Sequence, residues 1–133
     1  LGSINKLAKI TDETVELWSK VLSSIKNSKL LLKNKDFENN KIAENTYLRF
    51  SKNNINKDRI ILEGEARTRI ELLETYNKID IALDTFPFQG NTTTCEAAWM
   101  GVPTLTLKGD RFLFHFGEAC VNRVVVIYIV CKY

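Results

Sequence analysis

A glycine followed by a run of threonines lies in the second half of the chain, and these residue types suit the binding of phosphate. Gly90 and Asn91 precede Thr92, Thr93 and Thr94, where a helix is expected to begin. A glycine lets the backbone come close to a ligand. The first amides of a helix lack intrahelical partners and carry about half a positive charge, which favours an anion. The plain alternative is an ordinary helix cap.

Glu96 lies one turn inside this predicted helix and has two interpretations. It can complete a capping box with Thr93, in which each side chain bonds the other residue's backbone amide. It can also accept hydrogen bonds from the hydroxyls of a ribose if a nucleotide phosphate occupies the helix end. One rotamer hardly serves both roles, so the two stay alternatives at this point.

Two lysines are candidates for neutralising a diphosphate. Lys9 precedes the first predicted helix, and Lys33 ends the first predicted strand. A lone exposed lysine is usually only solvated, so each of them is a weak signal by itself. The loop at 109–111 is either a plain turn or a segment that closes over a ligand. His115, the only histidine, stands among aromatic residues, where packing is a more common role than catalysis.

Short apolar strands alternate with amphipathic helices along the chain. The predicted strands cover 29–32, 59–62, 79–83 and 104–107. The predicted helices cover 11–25, 36–52, 68–77 and 93–100, with a capping box between Thr68 and Glu71 and a stop at Gly101. This alternation predicts an α/β fold, a Rossmann-like parallel sheet with helices on both faces. Ligands bind at the carboxyl ends of such strands, which directs attention to the loops after Leu32, Leu62, Leu83 and Leu107.

Composition and charge exclude several classes of protein. The chain has 133 residues, with 44% hydrophobic and 26% charged, and its net charge is +3. Basic and acidic residues are interleaved, which argues against nucleic acid but suits a small anionic ligand. The apolar run at 124–130 is far shorter than the roughly 20 residues that span a bilayer. Residues 1–10 lack the long apolar run of a signal peptide, so none is expected.

The sequence carries binding residues and no recognisable catalytic set. Cys95, Cys120 and Cys131 have no metal-ligand spacing, so we interpret them as reduced thiols of a cytoplasmic protein. No nucleophile–base pair, metal cluster or dinucleotide fingerprint is present. These absences argue against a hydrolase triad and against a dinucleotide oxidoreductase.

Three stretches of the sequence resemble one known family. They are DIALDTFPF at 80–88, GNTTTCEA at 90–97 and WMGVPTLTL at 99–107. They closely resemble the catalytic region of the O-linked N-acetylglucosamine transferase family, in particular its bacterial SPINDLY-like branch. The stretches LAKI at 7–10 and LLLKN at 30–34 fit as well. The resemblance covers residues 1–119 as a nucleotide-sugar-binding domain, and 120–133 form an atypical apolar tail.

The resemblance implies the C-terminal half of a type-B glycosyltransferase. The donor would be UDP-N-acetylglucosamine, the acceptor a Ser or Thr hydroxyl of a protein, and neither a metal nor another cofactor is expected. Lys9 matches the lysine that contacts the diphosphate, and Thr92 and Thr93 match the threonines at the phosphates. Glu96 matches the acidic residue at the ribose, while Asn91 stands where animal relatives often carry a histidine.

Departures from the family pattern keep other functions open. Leu72 replaces a family histidine near the uridine, and His115 replaces a basic residue. We interpret the chain as a fragment, because it starts on Leu1 and ends on Lys132 and Tyr133 directly after an apolar run; a processed or trimmed small protein is the alternative. The family's N-terminal catalytic half and its tetratricopeptide repeats would then lie outside the chain. One alternative is a related transferase that uses GDP-fucose or UDP-glucose. Another is an inactive remnant or a binding module.

Overall fold

A sheet of parallel strands forms the centre of the fold. The computed structural model describes residues 1–107 and 130–131. Its strands are β1 (Gly2–Ser3), β2 (Leu30–Lys33), β3 (Ile60–Glu63), β4 (Ala82–Leu83), β5 (Thr104–Leu107) and β6 (Val130–Cys131). Their order across the sheet is β3-β2-β1-β4-β5-β6, and every neighbouring pair is parallel. This is the strand order of a Rossmann-type sheet, so the predicted fold class is confirmed.

Four α-helices in residues 1–107 cover the two faces of the sheet. They are α1 (Asp12–Ser24), α2 (Asn40–Ser51), α3 (Arg69–Glu74) and α4 (Thr92–Trp99). Short 3-10 helices lie at Leu7–Lys9, Lys35–Glu38, Lys57–Arg59 and Thr75–Lys78. Within the described residues, none of the helices has the length and apolarity needed to cross a membrane.

Alternation along β2 shows why both faces are buried. Leu30 and Leu32 belong to a core cluster with Trp18 of α1 and Phe50 of α2. Leu31, between them, belongs to a second cluster that contains Ala97 of α4 and Tyr76. Because successive side chains of a strand point to opposite faces, α1 and α2 cover one face and α4 covers the other.

Helix α1 begins as predicted and ends one residue early. The Thr11 hydroxyl accepts a 3.2 Å hydrogen bond from the Thr14 amide and caps the helix. Val15 and Leu22 lie on its buried face. Ile25, which was predicted on that face, is 43% exposed because the helix ends at Ser24 and Ile25 has an extended backbone.

Other element boundaries also differ from the prediction. The predicted helix at 36–52 is interrupted by Asn39, which ends a 3-10 turn and caps α2 through a 2.9 Å bond to the Lys41 amide. The Thr68 hydroxyl accepts from the Glu71 amide at 3.1 Å, as predicted. The Glu71 carboxylate, however, accepts from the amide of Arg67 at 2.8 Å and not from that of Thr68.

Strand β1 was not predicted, although it lies at the centre of the sheet. Gly2 pairs with Leu31 of β2 on one side and with Ala82 of β4 on the other. The strand has only two residues, a glycine and a serine, so it lacks the apolar run by which buried strands are found in a sequence. Its position depends on neighbours that are distant along the chain.

Some sequence predictions fall outside the described residues. These are the loop at 109–111, His115 and Cys120. The division of the chain at residue 119 into a domain and a tail also stays a prediction. Within the proposed tail, the backbone of Val130 and Cys131 pairs with Thr106 and Leu107 of β5.

Candidate functional site

The candidate site lies at the point where the order of the strands across the sheet reverses. From β1 the chain builds β2 and β3 on one side, and it then crosses to build β4 and β5 on the other. In sheets of this kind, ligands bind beyond the carboxyl ends of the two strands that flank this switch point. Here those strands are β1 and β4. The loop after Leu83 was predicted as part of a site, whereas the loop after Ser3 was missed together with its strand.

Asp84 organises the loop that follows β4. Its side chain is buried, with Oδ1 accepting from the amides of Gly90 at 2.6 Å and Thr85 at 2.8 Å. Oδ2 accepts from the Thr106 hydroxyl at 2.9 Å. Burial raises the pKa of Asp84, and these hydrogen bonds and the charge of Lys9 only partly oppose it. The loop is therefore folded back onto its own strand end by one carboxylate.

Gly90 lies against neighbours that leave no room for a side chain. A Cβ atom there would overlap the Thr93 hydroxyl and lie 2.7 Å from Asn5 Oδ1 and 3.2 Å from Asp84 Oδ1. The sequence predicted a close approach of the backbone at this position, and the structure shows one. In the structure, the Gly90 backbone lies close to side chains of the protein itself.

Helix α4 begins two residues earlier than the predicted cap at Thr93 implies, and this changes its cap. Its first residue is Thr92, and within the described part of the chain the side chain of Asn91 makes no capping bond to it. The predicted capping box between Thr93 and Glu96 is therefore wrong. The amides of the first turn therefore have no cap from the Asn91 side chain, and the amino terminus of a helix favours an anion.

The three threonines of α4 have different surroundings. Thr92 is exposed. The Thr93 hydroxyl donates to Asn5 Oδ1 at 3.0 Å, which joins α4 to the loop after β1. The Thr94 hydroxyl is buried and donates to the Gly90 carbonyl at 2.6 Å. Thr94 thus stabilises the loop, while Thr92 faces the solvent at the helix end.

Lys9 lies beside the same loop. It ends the 3-10 helix at Leu7–Lys9, and its Nζ donates to the Gln89 carbonyl at 2.9 Å. The residue after Gln89 is Gly90, two positions before α4. The fold thus brings together a cation and a helix amino terminus that are distant in sequence, and both features attract an anion.

Lys33 is placed differently. Its Nζ lies 3.1 Å from Glu63 Oε2, and its side chain is only 7% exposed. Lys78 binds the other oxygen of Glu63 at 2.7 Å. Burial acts to raise the pKa of Glu63, but the hydrogen bonds and charges of these two lysines prevail and lower it. Because its ammonium is engaged by Glu63, the arrangement gives no support to a diphosphate role for Lys33, which stays a prediction.

Glu96 is buried and held by two residues that the sequence did not suggest. Its Oε1 lies 2.6 Å from Arg69 Nη2, and its Oε2 accepts a 3.2 Å hydrogen bond from the Tyr76 hydroxyl. Both partners come from the α3 region. The capping interpretation of Glu96 is excluded, and the ribose interpretation stays a prediction.

Asn5 and Ser3 are the site residues that the sequence analysis missed. Asn5 is buried, and its Nδ2 donates to Ser3 Oγ at 3.1 Å. Ser3 in turn donates to the Leu83 carbonyl at 2.9 Å. These bonds connect the ends of β1 and β4 across the switch point. The only available signal was the position of Asn5 shortly before Lys9, and it had no meaning without β1.

Known proteins that the chain resembles are glycosyltransferases. The family model described as glycosyl transferase family 41 matches residues 2–123. The probable UDP-N-acetylglucosamine–peptide N-acetylglucosaminyltransferases SPINDLY of Arabidopsis thaliana and Oryza sativa subsp. japonica are 33% and 34% identical over 98% of the chain. The chain spans only 14% of the length of each. A solved mutant of the Thermobaculum terrenum O-GlcNAc transferase superposes with a TM-score of 0.85 and 33% identity, covering 92% of this chain and 23% of that one.

Proposed function

The chain belongs to glycosyltransferase family 41, and from this membership and the geometry of its switch point we propose that it forms the donor-binding part of a protein O-glycosyltransferase. The proposed reaction transfers N-acetylglucosamine from UDP-N-acetylglucosamine to Ser or Thr hydroxyls of a protein. The names of the relatives support UDP-N-acetylglucosamine as the donor and a peptide as the acceptor.

One observation carries the proposal. The Lys9 ammonium contacts the Gln89 carbonyl at 2.9 Å, and this places a cation beside the loop that leads into the amino terminus of α4. A diphosphate seated there would meet a full positive charge and a set of aligned amides. Both act more strongly in a partly buried crevice than in bulk water.

The proposed chemistry follows from this placement. The acceptor oxygen attacks the anomeric carbon, the bond from that carbon to the diphosphate oxygen breaks, and the hydroxyl proton is lost to a base. Negative charge builds up on the leaving nucleotide diphosphate. Lys9 and the amides of α4 would stabilise that charge, which lowers the barrier without a metal.

The proposal assigns roles to other residues according to their positions in the site. Asn91, Thr92 and Thr93 would bind the phosphates, and Glu96 would meet the ribose. A base for the acceptor and the acceptor-binding surface would come from an N-terminal catalytic half and tetratricopeptide repeats outside this chain. A cytoplasmic location is part of the same proposal and is supported by the sequence interpretation of the cysteines.

The test is nucleotide binding by the intact protein. We expect saturation-transfer NMR to detect UDP and UDP-N-acetylglucosamine, and we expect Lys9→Ala to weaken both by about tenfold or more, the effect of losing one charge-assisted contact. Lys26→Ala is the matched control. Lys26 is exposed in the loop before β2, so it lies at the amino ends of the strands, whereas the site lies at their carboxyl ends. If no nucleotide diphosphate binds, the proposed function is wrong.

Competition between donors decides which sugar nucleotide is used. UDP should displace a bound UDP-sugar, while GDP should not. Displacement by GDP would instead support a transferase that uses GDP-fucose. If UDP-glucose binds as tightly as UDP-N-acetylglucosamine, this chain does not select between the two sugars. A radiolabelled transfer assay on a protein acceptor then separates an active enzyme from an inactive remnant.

A further inference from the structure

Tyr76 reaches from the hydrophobic core to the candidate site. Its ring is 2% exposed and packs with Ile79 and Ala97 on the α4 face of the sheet. Its hydroxyl lies 3.1 Å from the Thr93 carbonyl and 3.2 Å from Glu96 Oε2. One buried side chain therefore contacts both the first turn of α4 and the carboxylate one turn further along.

The Tyr76 hydroxyl is a permanent hydrogen-bond donor. Burial raises the pKa of the phenol, and the neighbouring Glu96 charge raises it further. A tyrosine has few rotatable bonds, and the ring of this one is enclosed in the core, so the donor position is fixed. The hydroxyl has one proton for two acceptors, the Thr93 carbonyl at 3.1 Å and Glu96 Oε2 at 3.2 Å, and shares it between them.

The two oxygens of Glu96 have partners of opposite character. Oε2 faces the buried Tyr76, whereas Oε1 faces Arg69, whose side chain is 60% exposed. The Glu96 side chain is only 8% exposed, so the ion pair is half-buried, but the Arg69 side chain reaches the solvent and can give up its place to a ligand. The carboxylate is thus fixed on one side and open to exchange on the other.

The spacing along α4 relates this oxygen to the phosphate end. Glu96 lies three residues after Thr93 and four after Thr92, so the three residues share one side of the helix. One turn of helix rises about 5.4 Å. This separation matches that between the phosphates of a nucleotide and the hydroxyls of its ribose.

We propose that Tyr76 is a positioning residue of the donor site: its hydroxyl fixes Glu96 so that the carboxylate oxygen on the Arg69 side accepts from the ribose diol of the bound nucleotide. This inference rests on the proposed function, and it adds a residue to it. In this proposal Tyr76 does not contact the ligand, and it affects ribose recognition through Glu96.

The experiment compares nucleotides that differ only in the diol. Dissociation constants of UDP and of 2′,3′-dideoxy-UDP are measured by calorimetry for the intact protein and for Tyr76→Phe, which keeps the ring and removes the hydroxyl. We expect the preference of the wild type for UDP to fall by about three- to tenfold in the variant, with the dideoxy affinity unchanged. A role in stability alone would lower both affinities alike.

Control variants separate the possible causes. Tyr47→Phe removes a phenol from α2 on the opposite face of the sheet, where the ring lies 4.3 Å from Lys57 Nζ, and should leave both affinities unchanged. In a Glu96→Gln background, Tyr76→Phe should have no further effect on the preference, because the two residues act as one unit. If Tyr76→Phe does not fold, Tyr76→Met fills similar space without a hydroxyl.

Failure of the inference and failure of the proposed function give different results. A wild-type protein that binds neither nucleotide contradicts the donor-binding function itself. A protein that binds UDP but shows no preference over the dideoxy form retains the donor-binding function, and it overturns the inference together with the ribose role of Glu96. A preference that Tyr76→Phe leaves intact overturns the inference alone.

Discussion

The Asn5 side-chain carbonyl accepts a 3.0 Å hydrogen bond from the Thr93 hydroxyl, and so joins two residues that are 88 positions apart in the sequence. The bond spans the switch point, with β1 and its loop on one side and α4 on the other. It fixes the loop that carries Lys9 against the helix end that would bind a phosphate. Loss of this contact should therefore disturb both sides of the site.

We expect Asn5→Ala to lower the free energy of unfolding by about 1–3 kcal/mol, because Thr93 and Ser3 lose a buried partner. A double-mutant cycle with Thr93→Val, followed by urea denaturation, should give a coupling energy of about 0.5–3 kcal/mol. Additive effects of the two substitutions would show that the bond does not stabilise the fold.

Gly90→Ala should damage both stability and binding. The new methyl group would overlap the Thr93 hydroxyl and crowd Asn5 Oδ1, so we expect a loss of about 1–3 kcal/mol in the free energy of unfolding. Displacement of the loop should also weaken UDP binding, measured by calorimetry.

Gly64→Ala is the matched control for this substitution. A Cβ atom at Gly64 would lie 2.8 Å from Glu38 Cγ, and the exposed Glu38 side chain can turn away at the cost of its 3.2 Å bond from the Glu65 amide. The change in the free energy of unfolding should stay within about 0.5 kcal/mol. Equal effects of the two glycine substitutions would contradict a special requirement at Gly90.

Two neighbouring threonines should separate stability from binding. Thr94→Val removes the donor to the buried Gly90 carbonyl, and we expect it to cost about 1–3 kcal/mol of stability. Thr92→Val changes an exposed residue, so its effect on stability should stay within about 0.5 kcal/mol. If Thr92 binds a phosphate, its loss should instead weaken UDP by about tenfold. The opposite division of effects would reverse these assignments.

Asp84 should give stability a measurable pH dependence. Its pKa is raised above the ordinary value of 3.8 by burial, so the folded protein holds the proton more tightly than the unfolded chain. The stabilising contribution is therefore fully present below pH 3.8 and is lost as the pH rises through the raised pKa.

Asp84→Asn removes this titration while retaining a side-chain acceptor for the Gly90 amide. The free energy of unfolding of the variant minus that of the wild type should grow as the pH rises from about 4, and then level off above the raised pKa. Urea denaturation across a pH series measures this difference. A difference that falls with pH would mean that the hydrogen bonds and Lys9 outweigh burial.

Sequence pattern determined most of the architecture of this protein. The apolar strands at 29–32, 59–62 and 104–107 agree with β2, β3 and β5 to within one residue at each end. Thr11, Thr68 and Gly101 mark helix ends as predicted, with Gly101 at a φ of 75°. These features are local, because caps, periodicity and backbone preferences act over a few neighbouring residues. The glycine–threonine turn and the family membership were readable for the same reason.

The tertiary structure alone decided how the site is assembled. Strand β1 forms because Gly2 lies between β2 and β4, and nothing local marks it. Asn5 therefore gained a role that its sequence neighbourhood does not suggest. The Glu96 carboxylate contacts Arg69 and Tyr76, and it does not form the predicted helix cap. Lys9 approaches the loop, whereas Lys33 is held by Glu63. Such contacts join residues that are distant in sequence, and their partners are set by packing of the whole sheet, which no local pattern encodes.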